Sequence, residues 1–158
     1  MKTATKLVSM LLIIGGVAGI VGALLVEAGA RTFSDLGFVG FAVLLFAGSV
    51  WIGVDLWSGK PRGYKWAKVL LLLQVPNISI PGFSYQFYSG LMLGLSFSRE
   101  ADSKLNLLFE LGSQMNFQFS RAVEDLVFGV NLVALAAFIY LIKASKETAA
   151  LGTAAGSL

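Results

Sequence analysis

SYQFYSGLMLGLSFSREADSKLNLLFELGSQMNFQFS, residues 84–120, is the stretch that decides the fold. In its first run the odd positions are Tyr85, Phe87, Ser89, Leu91, Leu93, Leu95 and Phe97. Between them stand Gln86, Tyr88, Gly90, Met92, Gly94, Ser96 and Ser98. In the second run Leu105, Leu107, Phe109, Leu111, Ser113, Met115, Phe117 and Phe119 alternate with Asn106, Leu108, Glu110, Gly112, Gln114, Asn116, Gln118 and Ser120. Successive side chains of a strand point to opposite faces, so period two predicts two amphipathic strands. Residues 99–104, with Asp102 and Ser103 as turn formers, predict the connection of a hairpin.

Pairing the two apolar faces requires partners whose residue numbers sum to an even value. A slip of one would turn every side chain to the wrong face. A sum of 202 sets Phe97 opposite Leu105, and a sum of 204 sets Phe97 opposite Leu107; the pattern leaves both open. Each run would reach roughly 50 Å if straight, which is too long for a lone ribbon, so bends are expected at Gly90, Gly94 and Gly112. The apolar face cannot stand in water and marks an interface. Its candidate residues are Tyr85, Phe87, Leu91, Leu93, Leu95, Phe97, Leu105, Leu107, Phe109, Leu111, Met115, Phe117 and Phe119. It can meet the outer leaflet, the protein's own helices or another protein, and its edges can recruit strands.

The rest of the chain reads as membrane helices. Of 158 residues 56% are hydrophobic and 13% charged, about half the charged share of a soluble domain. Residues 7–26, 36–57, 64–80 and 123–142 each approach the 20 or so apolar residues that cross a bilayer. The first run is longer than the 7–15 residues of a signal-peptide core, so a span is expected over a cleaved leader despite Ala28-Gly29-Ala30. Lys2, Lys6, Lys60, Arg62, Lys65, Lys68, Lys143 and Lys146 fall on one side of that arrangement, which predicts both termini in the cytoplasm and the ribbon outside. The predicted fold is thus a membrane α-helical, four-transmembrane-helix bundle in one domain. An extracytoplasmic β-hairpin joins helices 3 and 4, and a tail over 144–158 frays after a turn or two. The net charge of +3 follows this topology and does not point to nucleic acid.

Gly15, Gly19 and Ala23 recur every four residues and predict a close helix–helix seam. Trp51, Trp57, Tyr64 and Trp66 predict an aromatic belt at the basic side. Asp55, near four cations, predicts an ion pair. The third span carries Gln74, Pro76, Asn77, Ser79 and Pro81. Either the helix breaks near Pro76 and leads into the ribbon, or its freed backbone lines a polar cavity. Asn131, at similar depth, is placed to hydrogen-bond Asn77 or Gln74, so these three form the candidate polar site.

The chain has no histidine and no cysteine, which removes the commonest general base, the thiolate nucleophile and the soft metal ligands. No phosphate-binding loop, metal-ligand spacing or nucleophile motif is present, so no cofactor, metal or catalytic residue is expected. In outline the chain resembles claudin-like proteins. Their sheet comes mainly from the loop between spans one and two and carries paired cysteines, whereas here the β-element lies between spans three and four and cysteine is absent. No role is carried over from that resemblance. The expected role is a non-enzymatic membrane protein whose ribbon assembles with a copy of itself or with an envelope protein, as an accessory subunit or a toxin-immunity protein. The alternative is transport of a small molecule, ion or lipid through the broken third span.

Overall fold

A computed structural model describes residues 2–27, 33–98, 104–120 and 126–155. The elements are α1 (Thr3–Glu27), α2 (Phe33–Trp57), α3 (Pro61–Gln74), β1 (Pro76–Ile80), β2 (Gly82–Ser98), β3 (Lys104–Ser120), β4 (Val127–Asn131) and α4 (Leu132–Ala155).

α1 and α2 are long and apolar enough to cross a membrane, over Thr3–Leu25 and Leu36–Trp57. Only 33% and 28% of their most apolar windows are buried, so both present apolar side chains outward along their length. Leu7, Ile14, Val21 and Leu25 on α1, and Phe41, Leu44 and Val54 on α2, are among those exposed. The two helices pack through glycines. A Cβ on Gly19 would meet the Phe46 ring, and one on Gly53 would meet Ile13.

The four-span bundle is overturned in its second half. α3 has 14 residues and stops at Gln74, giving it about 21 Å of length, short of a bilayer core of about 30 Å. Residues 76–80 are strand instead of the outer end of a helix. Pro76 cannot donate to a helical carbonyl, and the alternation Asn77, Ile78, Ser79, Ile80 suits a pleated strand. On the other side residues 127–131 are strand, and the apolar part of α4 is Leu132–Ser145. The described chain therefore holds two candidate spans, two further helices and a four-stranded antiparallel sheet. α4 continues to Ala155, further than the turn or two expected of the tail.

Helix and strand are continuous on both sides of this change. α3 runs into β1 and β4 runs into α4, and β1 pairs antiparallel with β4, Pro76 facing Val130 and Ser79 facing Val127. At the junction the Asn131 N–H donates to the Val75 carbonyl at 2.8 Å.

β2 and β3 pair over their whole length with partner numbers summing to 202, from Gly82 opposite Ser120 to Ser98 opposite Lys104. The other edge of β2 is shared: residues 83–86 pair with β1 and residues 94–98 with β4. Because β1 and β4 also pair with each other, the hydrogen bonds form a closed circuit. All three pairings are antiparallel, so the circuit closes only if β2 turns through a large angle between its two halves. The turn lies at Gly90 and Gly112, which face each other across the ribbon with φ of 103° and 138°. Side chains rarely adopt such φ values, so glycine on both strands lets the ribbon fold as a unit.

Candidate functional site

The bend divides the apolar face that the sequence presents as one. On the near side of it Phe87 is 2% exposed, with its ring 5.7 Å from that of Phe46 on α2, and Tyr85 and Met115 pack against the same core. The Tyr85 hydroxyl donates to the Leu73 carbonyl at 2.7 Å, tying the ribbon to the end of α3. At the outer end of this half Phe117 and Phe119, 41% and 73% exposed, form a surface aromatic cluster with Phe83, with centroids 5.1–5.6 Å apart. Beyond the bend the face turns away from the protein. Leu105, Leu107, Phe109 and Leu111 on β3 are 67–79% exposed, and Leu95 and Phe97 on β2 are also exposed. Leu91 and Leu93 are half-buried, Leu93 against the start of α1 and α4.

The ribbon crosses α1 at Gly15. A Cβ there would lie 2.1 Å from the Gly90 nitrogen, and one on Gly90 would lie 2.7 Å from the Leu11 carbonyl oxygen. Ser113 fastens the crossing: its hydroxyl accepts from the Gly90 N–H at 3.3 Å and donates to the Gly15 carbonyl at 2.5 Å. The small-residue seam of α1 thus serves two partners, the ribbon at Gly15 and Phe46 of α2 at Gly19, while Ala23 packs against the same core. Gly15 is in the middle of α1, so the ribbon lies alongside this helix and does not stand beyond its end.

β3 is the last strand of the sheet order and pairs with β2 alone among the described strands. Its second edge therefore carries backbone groups with no strand partner among the described residues, next to the exposed row 105–111.

The even side chains of β2 face the enclosed side. Tyr88 and Met92 are buried, and the Gln86 amide donates to the Met92 sulfur at 3.4 Å. Glu110 faces Met92 in the β2–β3 register. Burial first, and the Glu110 carboxylate second, push the Tyr88 hydroxyl well above its ordinary range, so it remains a donor. Among the described residues four buried polar atoms have no protein partner: Gln74 Nε2, Ser89 Oγ, Glu110 Oε2 and Asn131 Nδ2.

The candidate polar site is rearranged. Gln74 Oε1 accepts from the Ser89 N–H at 3.2 Å. Asn131 Oδ1 accepts from Val133 and Ala134 N–H at 3.1 and 3.3 Å, capping α4. Asn77 faces Gly129 in the β1–β4 pair, with its Cβ near where a Gly129 Cβ would lie. The three residues thus gather at the helix–strand junctions, and the polar bonds of Gln74 and Asn131 run to backbone groups. Sequence reasoning missed Tyr88, Glu110, Ser89 and Ser113 as members of this region. A signal was present for one of them, a carboxylate on the polar face of an alternating run.

The opposite end of the molecule gathers cations and tryptophans. Thr5 and Tyr140 hydroxyls lie 2.9 Å apart and Lys68 donates to Ser145 at 3.2 Å, so the start of α1 and the middle of α3 meet α4 there. Asp55 is bridged by Lys60 at 2.9 Å and Arg62 at 2.6 Å. Lys6, Arg62 and Lys65 sit 5.3–5.9 Å from the rings of Trp57, Trp51 and Trp66. Among the described residues no group of three or more Asp, Glu, His or Cys could hold a metal ion. No protein-family model, curated protein or solved structure matches the chain.

Proposed function

We propose that the protein is a non-enzymatic integral membrane protein whose bent ribbon is an assembly element. α1 and α2 cross the bilayer with the lysine-rich end and both termini in the cytoplasm, by the charge rule for membrane topology. The sheet then lies beside α1, from Leu93 near its first turns to Met115 near Gly22 and Ala23. One observation carries the reading: β3 has an edge with no strand partner among the described residues, beside a row of exposed Leu and Phe. Lipid offers no hydrogen bonds to backbone groups, so an open strand edge at membrane depth is costly. A strand or polar segment from a second copy, or from another membrane or envelope protein, removes that cost and places its side chains against the 105–111 row.

The absence of cysteine makes the test direct. Single cysteines at Leu107 and Leu111 are oxidised or bifunctionally cross-linked in native membranes, beside a control at the exposed Ile139 of α4. Adducts of one defined mass at β3 and none at Ile139, with a matching particle mass in mild detergent, support assembly through β3. A monomeric particle with no β3 adduct overturns it.

A second reading, passage of a small molecule, ion or lipid through the enclosed polar side, is supported by the four buried polar atoms that have no protein partner among the described residues. Under that reading Gln74→Leu and Asn77→Leu abolish flux in vesicles and leave the particle mass unchanged.

A further inference from the structure

We infer that the basic end of the α1–α2 pair is a seat for an anionic phospholipid, with one acyl chain in the groove between the helices and the phosphate at Lys6. The groove is an open cleft of about 350 Å³ lined by Met10, Ile13 and Ile14 of α1 and Val54 and Trp57 of α2. That volume lies in the range of small-molecule sites. Lys6, Met10 and Ile13–Ile14 follow one another at four- and three-residue steps, so they form one stripe. From Lys6 to Ile14 the stripe is about 12 Å long at the helical rise of about 1.5 Å per residue.

The headgroup end is built as well. The Lys6 ammonium lies 5.5 Å from the Trp57 ring centroid, which holds the cation at the mouth of the groove. Asp55, the acid at this end of α2, is already bridged by Lys60 and Arg62 and does not neutralise Lys6. An apolar channel that ends at an ordered cation beside a tryptophan matches a lipid with a negative head and a long tail. A zwitterionic lipid fits the groove and lacks the net charge that favours the cation. A free anion fits the cation and leaves the groove unused. The inference rests on the membrane placement of α1 and α2.

The full-length protein is reconstituted into vesicles of equal parts phosphatidylglycerol and phosphatidylcholine and re-extracted in mild detergent. Co-purifying lipid is then counted by mass spectrometry. The expected result is enrichment of phosphatidylglycerol over its bulk share. Lys6→Gln lowers that enrichment about fivefold, the effect of one lysine near an anionic surface, and Lys6→Arg keeps it. Met10→Trp, which fills the groove and leaves the charge, lowers the amount of bound lipid of either kind. No enrichment in the parent protein, an unchanged ratio in Lys6→Gln, or undiminished lipid in Met10→Trp overturns the proposal. Alkaline carbonate extraction of the same vesicles separates the two premises: release of the protein into the wash removes the membrane placement itself, whereas retention without selectivity removes only the lipid seat.

Discussion

Replacing Gly15 by alanine tests the crossing of α1 and the ribbon, on which the arrangement of the sheet depends. The new Cβ would fall 2.1, 2.4 and 2.6 Å from Gly90 N, Ser89 C and Gly90 Cα. All three are backbone atoms at a bend already fixed by Gly90 at φ 103° and by pairing with Gly112, so no side chain can swing aside. Helix and strand must separate. Overpacking of this kind costs about 3 kcal/mol at the upper end of its usual range. Separation also breaks the Ser113 hydrogen bond to the Gly15 carbonyl, about 1 kcal/mol. Alanine returns up to about 1 kcal/mol of helix propensity. The net loss is about 3 kcal/mol, or roughly 6–12 °C in Tm for a chain of this size. The control is Gly22→Ala in the same helix, where a Cβ meets nothing within 4 Å and only the propensity gain remains. The assay is thermal unfolding of both variants in mild detergent, followed by tryptophan fluorescence. Equal Tm values for the two variants refute the close approach and with it the position of the ribbon against α1.

Further outcomes follow from the same geometry. Phe46→Ala removes a 3% exposed ring that fills the space over Gly19 and contacts Phe87, and is expected to cost about 3–5 kcal/mol in denaturant titration. Asn131→Ala removes the cap of α4 and is expected to lower stability by about 1 kcal/mol, with Asn131→Ser restoring most of it in the same assay. Under the assembly reading Leu107→Asp reduces the particle to the mass of one chain in mild detergent, while Asn77→Leu leaves the mass unchanged; the opposite pattern refutes that reading.

Much of the ribbon was legible because its information is local. Period two names the strands, and the need to align the apolar faces restricts the register to even sums; pairing at 202 is one of the two that remained. The bend was also half visible, since Gly90 and Gly112 were expected to break the strands. Only with the register known do they become partners, because 90 and 112 sum to the same 202. The third and fourth spans were misread for a physical reason. Continuous apolar runs look alike whether they are buried strand or helix, and only partners decide. The alternation from Pro76 to Ile80 was a strand signal, but its meaning depended on Val127–Asn131, about fifty residues away.

The sequence by itself determined what is local: two apolar helices, two amphipathic strands, the parity of their register, and a basic end rich in tryptophan. Tertiary structure decided which backbone groups find partners. β1 needs both β2 and β4, β2 needs both β1 and β4, and that circuit, not hydropathy, shortens α3 and bends the ribbon. It also decided that Phe87 is core while Leu107 and Leu111 are surface, although all three stand on the same alternating face. A side-chain pattern records which way each residue points from its own strand. It does not record where that strand turns, because the turn depends on that circuit and on a glycine-lined contact between Gly15 and Gly90, seventy-five positions apart in the chain.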